Sequence, residues 1–451
     1  MIPAIFEGIP RDIIDRFDQG RDTAGLPAKV NGHRFATAEY AALLAGMGGR
    51  GPEPIAIYIH IPFCPVRCLY CACHTTITHD SARIDAYLDT LEREMDLVVE
   101  HLGSGRDLCQ IHVGGGTPNY LSDSQLVRLM EAVGQRFHIC EDTDTGIECN
   151  PRRCSAGQME LLKGLGFNRI SFGVQDLDAS VQHAIGRINS QALVRDVHAT
   201  ARSIGFETTC LDLIYGLPEQ TRQGFHETLE RVIEMGPDRV GCYSYSHCPA
   251  TRPHQYAIEA GSLPSPREKL ILLHEAVNCL VAAEYHWIGI DCFARDGDPL
   301  SVAQANRRLS HNCIGYTRGP SRPLLAFGAS ALGEVDGAFI QNEPDLKAWS
   351  GAVSAGQLPV ACGRRLSEDD LRRRKALRHL LCNLELPANL AQGIEEEYER
   401  LARCAEIGLV EVTPNSIRVT PRGRYFLRSL CGHDDSTLAW SSSQWGVPHL
   451  A

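Results

Sequence analysis

The chain has 451 residues, of which 43% are hydrophobic and 22% are charged, the composition of an ordinary globular protein with room for one large domain and a smaller one. Its net charge of −11 argues against nucleic-acid binding, and no stretch approaches the ~18–20 apolar residues that a membrane span needs. Eighteen cysteines without a secretory signal favour free thiols in a reducing compartment, so we expect a cytoplasmic protein.

Short β-branched segments alternate with amphipathic segments from residue 55 to about residue 290. The predicted strands cover residues 55–61, 109–114, 145–149, 168–174, 208–214 and 239–246. The predicted helices cover residues 84–102, 124–137, 155–164, 192–204, 221–235 and 267–284. Repeated βα units predict parallel strands, and six units are too few to close an eight-stranded barrel. The predicted fold is therefore α/β, a partial (β/α)6 TIM-type barrel over residues 51–360, after an N-terminal segment of residues 1–50.

The pattern changes after about residue 360. A capping box at Ser367–Asp370 opens a helix, a second helix covers residues 394–407, and a hairpin turns at Pro414 and Asn415. These elements predict that residues 361–451 form a small helical, winged-helix-like capping domain. The basic run at residues 372–375 is interpreted as a solvated helix face, because acidic residues lie nearby in the sequence.

Three cysteines, Cys64, Cys68 and Cys71, follow the first predicted strand with CxxxCxxC spacing. Each iron of a [4Fe–4S] cluster needs a ligand, so three thiolates in one loop leave one iron open to bind S-adenosylmethionine. An electron from the cluster can then release a 5′-deoxyadenosyl radical. Tyr70 precedes the third cysteine, as is usual in radical-SAM loops. The alternative is a zinc site that includes Cys73, but the second, separated pair of ligands typical of zinc sites is missing downstream.

Glycine and polar residues follow the predicted strands at the end where chemistry gathers in such barrels. The glycines of Gly114–Thr117, after the second strand, let a ligand approach the main chain closely. Glu148, Gln175 and Asp212 end the third, fourth and fifth strands. Each could instead cap the next helix, and Arg187 could be a surface cation, but three polar residues at one edge favour a polar site.

Longer blocks of sequence resemble one family. They are YIHIPFC at residues 58–64, a CxxCxC extension that ends at Cys73, GGGTPNYL at 114–121, IECNPR at 147–152, GFNRISFGVQD at 166–176, LDLIYGLPEQT at 211–221, LPSPREKL at 263–270 and IGIDCFAR at 288–295. With these blocks the chain resembles the oxygen-independent coproporphyrinogen III oxidases, radical-SAM enzymes of haem biosynthesis. The likeness extends from about residue 55 to about residue 430.

The resemblance implies a role for each matching residue. The cluster ligands would be Cys64, Cys68 and Cys71, and Cys73 would have a catalytic or supportive role. Contacts with the S-adenosylmethionine on the cluster would come from Tyr58, Tyr70, Gly115, Glu148 and Leu332. A second S-adenosylmethionine would lie against Gly116, Thr117, Gln175, Arg187, Asp212 and Ser246.

The resemblance also implies the reaction and its partners. The 5′-deoxyadenosyl radical would start the oxidative decarboxylation of two propionates of coproporphyrinogen III to vinyl groups, which gives protoporphyrinogen IX. The expected partners are this tetrapyrrole and a reducing electron donor such as flavodoxin or ferredoxin. We expect a monomer that binds neither nucleic acid nor membrane.

Two other functions fit parts of the pattern. Methylases and cyclopropanases that resemble this family bind two S-adenosylmethionine molecules in the same arrangement and act on other substrates. Haem-binding chaperones of the family are the other alternative, but they lack the CxC extension. The chain departs from the family pattern at residues 21–27, where both tyrosines of the usual RYTSYPT segment are missing, at Cys292, where histidine is common, and after Cys431. All three departures lie outside the residues expected to generate the radical.

Overall fold

The computed structural model describes residues 3–15, 17, 35–51 and 53–431. Its helices are α1 (Arg11–Asp15), α2 (Thr37–Gly49), α3 (Ser81–Leu102), α4 (Asp123–Arg136), α5 (Ala156–Gly164), α6 (Ala179–Ala184), α7 (Gln191–Ile204), α8 (Arg222–Met235), α9 (Pro266–Ala282), α10 (Pro299–Ala305), α11 (Leu346–Ser354), α12 (Glu368–Asn383), α13 (Glu395–Arg403) and α14 (Leu427–Cys431). Short 3₁₀ helices, among them Pro253–Ala257, lie between these elements.

The strands are β1 (Ile55–Ile61), β2 (Phe63–Cys64), β3 (Thr76–Ile77), β4 (Arg106–Gly115), β5 (Phe137–Cys149), β6 (Arg169–Gln175), β7 (Thr208–Tyr215), β8 (Arg239–Ser244), β9 (Tyr285–Trp287), β10 (Cys292–Arg295), β11 (Ser310–Asn312), β12 (Gly315–Thr317), β13 (Leu324–Phe327), β14 (Leu332–Val335), β15 (Ala338–Asn342), β16 (Val360–Arg365), β17 (Glu385–Pro387), β18 (Val410–Val412) and β19 (Ser416–Val419).

Twelve strands form one sheet in the order β16-β15-β14-β13-β1-β4-β5-β6-β7-β8-β10-β9. The six strands of the predicted barrel, β1 and β4 to β8, are parallel neighbours, and β13 pairs in parallel with the free edge of β1. Strands β14, β15 and β16 at one end, and β10 and β9 at the other, are antiparallel. The predicted partial barrel is confirmed, and antiparallel strands extend it at both ends.

Strand β1 is buried along its whole length, because helices cover its outer face and other side chains fill the barrel behind its inner face. Ile57, Ile59 and Ile61 belong to the main hydrophobic core. Tyr58 and His60 alternate with them and hydrogen-bond to each other on the other face, Tyr58 Oη to His60 Nδ1 at 2.9 Å. Polar and apolar side chains thus alternate between the two faces along the second half of β1.

The C-terminal residues form a three-stranded antiparallel sheet, β17-β19-β18, with α12, α13 and α14. The predicted capping box of Ser367 and Asp370 and the hairpin of β18 and β19 are present. The interpretation of the basic run as a wholly solvated face is wrong at Arg374, which is buried and pairs with Glu334 of β14. This ion pair ties α12 to the large sheet.

The division of the chain at residue 360 stays a prediction, as does the likeness of its C-terminal part to a winged helix. Strand β16 crosses that boundary and ends at Arg365 within the large sheet. In the part of the chain that the structure describes, no helix combines the length and the apolar character required to cross a membrane. Residues 21–27 and the tail after Cys431 lie outside the described residues.

Candidate active site

A cavity opens at the carboxyl ends of the parallel strands, with about 1060 Å³ of empty space that includes a part open to solvent. Thirteen of the fifteen predicted site residues line it: Cys64, Cys68, Tyr70, Cys71, Cys73, Gly115, Gly116, Thr117, Glu148, Gln175, Arg187, Asp212 and Ser246. These residues thus lie around one cavity, and their individual roles stay predictions.

The cysteine loop begins in β2, which pairs with β3 and thereby closes the loop at its base. Cys64 lies in β2, and its Sγ is 3.2 Å from Oγ1 of Thr117. A hydrogen bond from Cys73 lowers the pKa of Cys71 to about 6, while the same bond and burial raise the pKa of Cys73. Burial raises the pKa of Cys64 to about 12. The thiols of the loop thus have different environments before any ligand binds.

The spacing of the cysteine sulfurs does not fit a single zinc ion. Tetrahedral zinc with bonds of about 2.3 Å to sulfur brings its ligand atoms within about 3.8 Å of one another. Among the described residues, two groups of three or more metal-ligating side chains lie within 4.8 Å of one another, one at Asp107 and one at His226, and neither includes a cysteine of the loop. This wider spacing favours a cluster that separates its ligands.

A second segment holds the cysteine loop through its main chain. Arg252 donates from Nε to the carbonyl of Ala72 at 2.9 Å, and His254 donates from Nε2 to that of Cys71 at 2.7 Å. Gln255, which is buried, donates from Nε2 to the carbonyl of Tyr70 at 2.9 Å. Three consecutive carbonyls are thus fixed by one 3₁₀ helix and the arginine before it. The sequence analysis missed these residues, because no local pattern marks such long-range contacts.

Glu148 accepts two hydrogen bonds, from Nε2 of His112 at 2.9 Å and from the main-chain nitrogen of Gly115 at 3.1 Å. A Cβ on Gly114 would lie only 2.5 Å from Oε1 of Glu148, so this glycine leaves room for the carboxylate. Close approach of a ligand to the main chain of these glycines stays a prediction. Glu148 lies in β5, one residue before its end, and faces the cavity.

Three buried polar atoms of the cavity lack a hydrogen-bond partner in the described part of the chain: Oε1 of Gln175, Nε of Arg187 and Oδ2 of Asp212. Leaving such an atom unpaired costs about 1–3 kcal/mol, so their convergence indicates a ligand. Gln175 also has a φ of 71°, and strain of this kind is typical of functional positions.

Asp212 was predicted to end the fifth strand, and this is wrong. Strand β7 continues to Tyr215, so Asp212 lies inside the strand with its side chain in the cavity. Burial raises its pKa to about 7, and the thiol of Cys210 donates to Oδ1 over 3.3 Å. The alternative that Asp212 caps a helix is therefore wrong, since the cap of α8 is Thr221.

Arg187 is half-buried beside the cysteines, so the surface-cation alternative is wrong. It donates from Nη2 to the carbonyl of Gly173 at 2.7 Å and from Nη1 to Oη of Tyr70 at 3.3 Å. Its Nη1 is also 3.8 Å from Sγ of Cys68. The guanidinium therefore supplies positive charge close to the thiols of the loop.

Tyr58 and Leu332 are the two predicted site residues that do not line the cavity. Tyr58 is buried behind it, bonded to His60 and stacked on His112 with ring centroids 6.0 Å apart. Leu332 begins β14 and packs against Phe339. Any contact of these two residues with a ligand stays a prediction.

Comparison with known proteins decides the family. Residues 58–232 match the family model of the Radical SAM superfamily. Oxygen-independent coproporphyrinogen III oxidase of Escherichia coli strain K12 is 38% identical over 85% of this chain and 86% of its own length. The protein of the same name from Pseudomonas aeruginosa is 36% identical over 93% of this chain and 94% of its own. The chain belongs to this family.

A solved structure of a member of this oxidase family superposes closely on the described fold. It is coproporphyrinogen III oxidase from Escherichia coli, described as a radical SAM enzyme, with a TM-score of 0.83 and 36% identity over 88% of this chain and 93% of that chain. The protein is therefore a radical-SAM oxidoreductase. These relatives do not favour the methylase-like or chaperone alternatives.

Enzymes of this family use a [4Fe–4S] cluster and S-adenosylmethionine, and the cavity fits both. Cys64, Cys68 and Cys71 line one wall with sulfurs too widely spaced for a single ion, as three ligands of a cluster require. The unpaired atoms of Gln175 and Asp212 on other walls offer hydrogen-bond acceptors to the polar groups of S-adenosylmethionine. The chemistry of the donors thus matches both cofactors.

Proposed function

We propose that this protein oxidatively decarboxylates two propionates of coproporphyrinogen III to vinyl groups without oxygen, which gives protoporphyrinogen IX in haem biosynthesis. The observation that carries the proposal is the cavity in which the three cysteines and the unpaired atoms of Gln175, Arg187 and Asp212 converge. The names of the relatives support the substrate.

In this proposal each part of the chain has a defined task. The thiolates of Cys64, Cys68 and Cys71 hold the cluster. When bound, the two cofactors supply the 5′-deoxyadenosyl radical that removes a hydrogen atom from the substrate. The 3₁₀ helix Pro253–Ala257 keeps the loop in place by its bonds to consecutive carbonyls. The surrounding walls exclude water from the radical.

We also propose how S-adenosylmethionine is held. Tyr70, Gly115 and Glu148 contact the molecule next to the cluster. Tyr58 acts from behind the wall through its hydrogen bond to His60, and the contact assigned to Leu332 rests on the resemblance alone. Glu148 is already fixed by two hydrogen bonds, so its carboxylate is held ready for the ligand.

A second S-adenosylmethionine is part of the proposal, held by Gly116, Thr117, Gln175, Arg187, Asp212 and Ser246. The support is that all three unpaired buried atoms belong to this set. Asp212 suits a pair of ribose hydroxyls, and the guanidinium of Arg187 suits a carboxylate. Cys73 serves the reaction from its place beside Cys71 and is not a ligand of the cluster.

We also propose the cellular setting of the protein. The protein works in the cytoplasm as a monomer, receives electrons from a donor such as flavodoxin or ferredoxin, and binds neither nucleic acid nor membrane. Its three parts are the N-terminal segment of residues 1–50, the barrel of residues 51–360 and the capping domain of residues 361–451.

The experiment is an anaerobic incubation of reconstituted protein with S-adenosylmethionine, dithionite and coproporphyrinogen III, followed by mass spectrometry. We expect two carbon dioxides per tetrapyrrole and the divinyl product. The Cys64→Ser variant should be inactive, and Cys109→Ser is the matched control, since this thiol bonds to the carbonyl of Ile55 away from the cavity. Accumulation of 5′-deoxyadenosine with unchanged tetrapyrrole would contradict the proposed substrate.

A further inference from the structure

Helices α8 and α9 bring three side chains of metal-ligating type together, away from the cavity. Glu275 and Cys279 are four residues apart on α9 and therefore lie on one face of that helix. His226 of α8 lies opposite them, with its Nδ1 2.8 Å from Oε1 of Glu275 and 3.3 Å from Sγ of Cys279. The same sulfur is 3.8 Å from Oε1 of Glu275. An imidazole, a carboxylate and a thiol thus converge on one point.

A second group of this kind in the described part of the chain is formed by Asp107, His138 and Cys140, and it is less well ordered by its surroundings. The side chains of His138 and Asp107 are 65% and 45% exposed, whereas those of His226 and Glu275 are 35% and 9% exposed. Because holding an exposed side chain in place costs conformational entropy, the group between α8 and α9 is the better prepared for a metal ion.

Two charged neighbours orient the ligand atoms of this group. Nε2 of His226 is 3.3 Å from Oε1 of Glu230, one turn along α8. A proton held on Nε2 by that carboxylate leaves Nδ1 with the lone pair that a metal ion requires. Arg222 donates from Nε to Oε2 of Glu275 at 2.6 Å, which leaves Oε1 to face the imidazole and the thiol. Both ligands therefore direct a lone pair to the same point.

The separations of the three atoms suit a tetrahedral zinc ion. Zinc bonds of about 2.0–2.2 Å to nitrogen and oxygen and about 2.3 Å to sulfur place the ligand atoms roughly 3.4–3.6 Å apart. The observed separations lie between 2.8 and 3.8 Å, so side-chain adjustments of about 0.6 Å or less are sufficient. A mixed set of nitrogen, oxygen and sulfur ligands suits zinc, whereas magnesium and calcium ions prefer oxygen alone.

We propose that His226, Glu275 and Cys279 bind one zinc ion between α8 and α9, with water as the fourth ligand, and we call this group the helix-pair zinc site. As the ion binds, the thiol of Cys279 gives its proton to solvent, and no electron is transferred. The thiolate and the carboxylate then balance the two positive charges of the ion. None of the three residues lines the cavity, so the site is separate from the cysteine loop and from the proposed reaction. Its role is to fasten α8 to α9.

The experiment adds zinc sulfate to the cluster-loaded protein under anaerobic conditions and measures zinc and iron together after unbound metal is removed. We expect about one zinc ion per chain beside an unchanged iron content, because iron already occupies the cysteine loop. X-ray absorption at the zinc edge should show one sulfur at about 2.3 Å and nitrogen or oxygen neighbours at about 2.0–2.2 Å. Zinc should also raise the thermal midpoint, because an ion that binds the folded state stabilises it.

Two variants each remove one ligand atom. Cys279→Ser removes the sulfur, and His226→Gln removes Nδ1 while it keeps a donor near Glu230. Each should bind zinc at least about tenfold more weakly than the wild type and should lose the zinc-dependent rise in thermal midpoint. The matched control is Cys404→Ser, because this partly buried thiol donates to the carbonyl of Arg400. The control should bind zinc as tightly as the wild type does.

The opposite results overturn the inference. Wild-type zinc affinity in Cys279→Ser and His226→Gln, or a zinc spectrum without sulfur, excludes the helix-pair zinc site. No zinc binding by the wild type shows that the three residues form an ion-pair network only. Loss of iron as zinc enters shows that zinc occupies the cysteine loop instead. Thermal midpoints in the presence of EDTA identify a variant that fails to fold, and the other variant and the zinc spectrum of the wild type then decide.

Discussion

Replacing Asp212 by asparagine should make the ligand-free protein more stable at alkaline pH. Burial raises the pKa of Asp212 from 3.8 to about 7, and its Oδ2 has no hydrogen-bond partner in the described chain. A carboxyl group whose pKa is raised on folding stabilises the fold below its unfolded pKa, and this contribution is lost as the pH rises through the folded value. The shift corresponds to about 4 kcal/mol in full.

The variant removes this titration, because asparagine keeps the shape of the acid without its charge. Between about pH 5 and about pH 8 the wild type should lose about 3 kcal/mol more stability than Asp212→Asn, measured by urea denaturation of the cofactor-free protein. The variant should also bind S-adenosylmethionine more weakly in equilibrium dialysis.

Asp176→Asn is the matched control. This carboxylate is also buried, but it accepts hydrogen bonds from Gln220 at 2.6 Å and from Thr228 at 2.6 Å. Burial raises the pKa of Asp176 as well, so this variant also removes a titration, but it breaks a satisfied network and should therefore be less stable than the wild type at neutral pH. A difference between wild type and Asp212→Asn that does not change with pH would refute the reasoning.

Three further predictions concern the cysteine loop and the residues that support the cavity. Replacing Cys64, Cys68 or Cys71 by serine should reduce the iron content, measured by iron assay, well below the expected about four irons per chain. The Cys73→Ser variant should retain these irons. Loss of iron in Cys73→Ser alone would contradict the ligand assignment. The Gln255→Ala variant leaves the carbonyl of Tyr70 unpaired and should lose about 1–3 kcal/mol of stability. Its cluster should also reconstitute more slowly than that of the wild type, as measured by absorbance. An unchanged reconstitution rate would contradict the proposed role of Gln255. The Gly114→Ala variant should displace Glu148 and weaken S-adenosylmethionine binding by about tenfold or more, because its Cβ would lie 2.5 Å from Oε1 of Glu148. The control is Gly134→Ala, whose Cβ would enter open space. This control should bind S-adenosylmethionine as tightly as the wild type does.

Much of the barrel follows from local pattern. The predicted strand at residues 55–61 coincides with β1, and the helix predicted at 192–204 begins one residue earlier, at Gln191 after the cap Ser190. Apolar residues recur with the strand period in the first element and with the helix period in the second. Each period can be recognised within a short stretch of sequence. The cysteine motif is equally local, because its three predicted cluster ligands lie between residues 64 and 71.

The errors have a common physical cause. Asp212 is a polar residue inside the strand predicted at residues 208–214, and its polarity alone suggests a strand end, although pairing with β8 carries β7 on to Tyr215. Arg374 appears solvated by composition, but Glu334 from a distant strand buries it. The clamp by Gln255 is likewise long-range, as are the pairings of β13 to β16. Contacts between distant segments leave no periodic trace in the sequence.

The pairing of β13 with β1 has a consequence for the biosynthesis of the enzyme. Ala56 pairs with Leu324 and Ile59 with Phe327, so the strand that leads into the cysteine loop receives its second neighbour only after most of the chain has left the ribosome. Pairing over such a distance in sequence is slow, and chains fold from the N-terminus as they are made. The thiols of the loop are therefore synthesised well before β13, the strand that completes the pairing of β1. We expect insertion of the cluster to be a late, post-translational event that needs protection of these thiols from oxidants in the meantime.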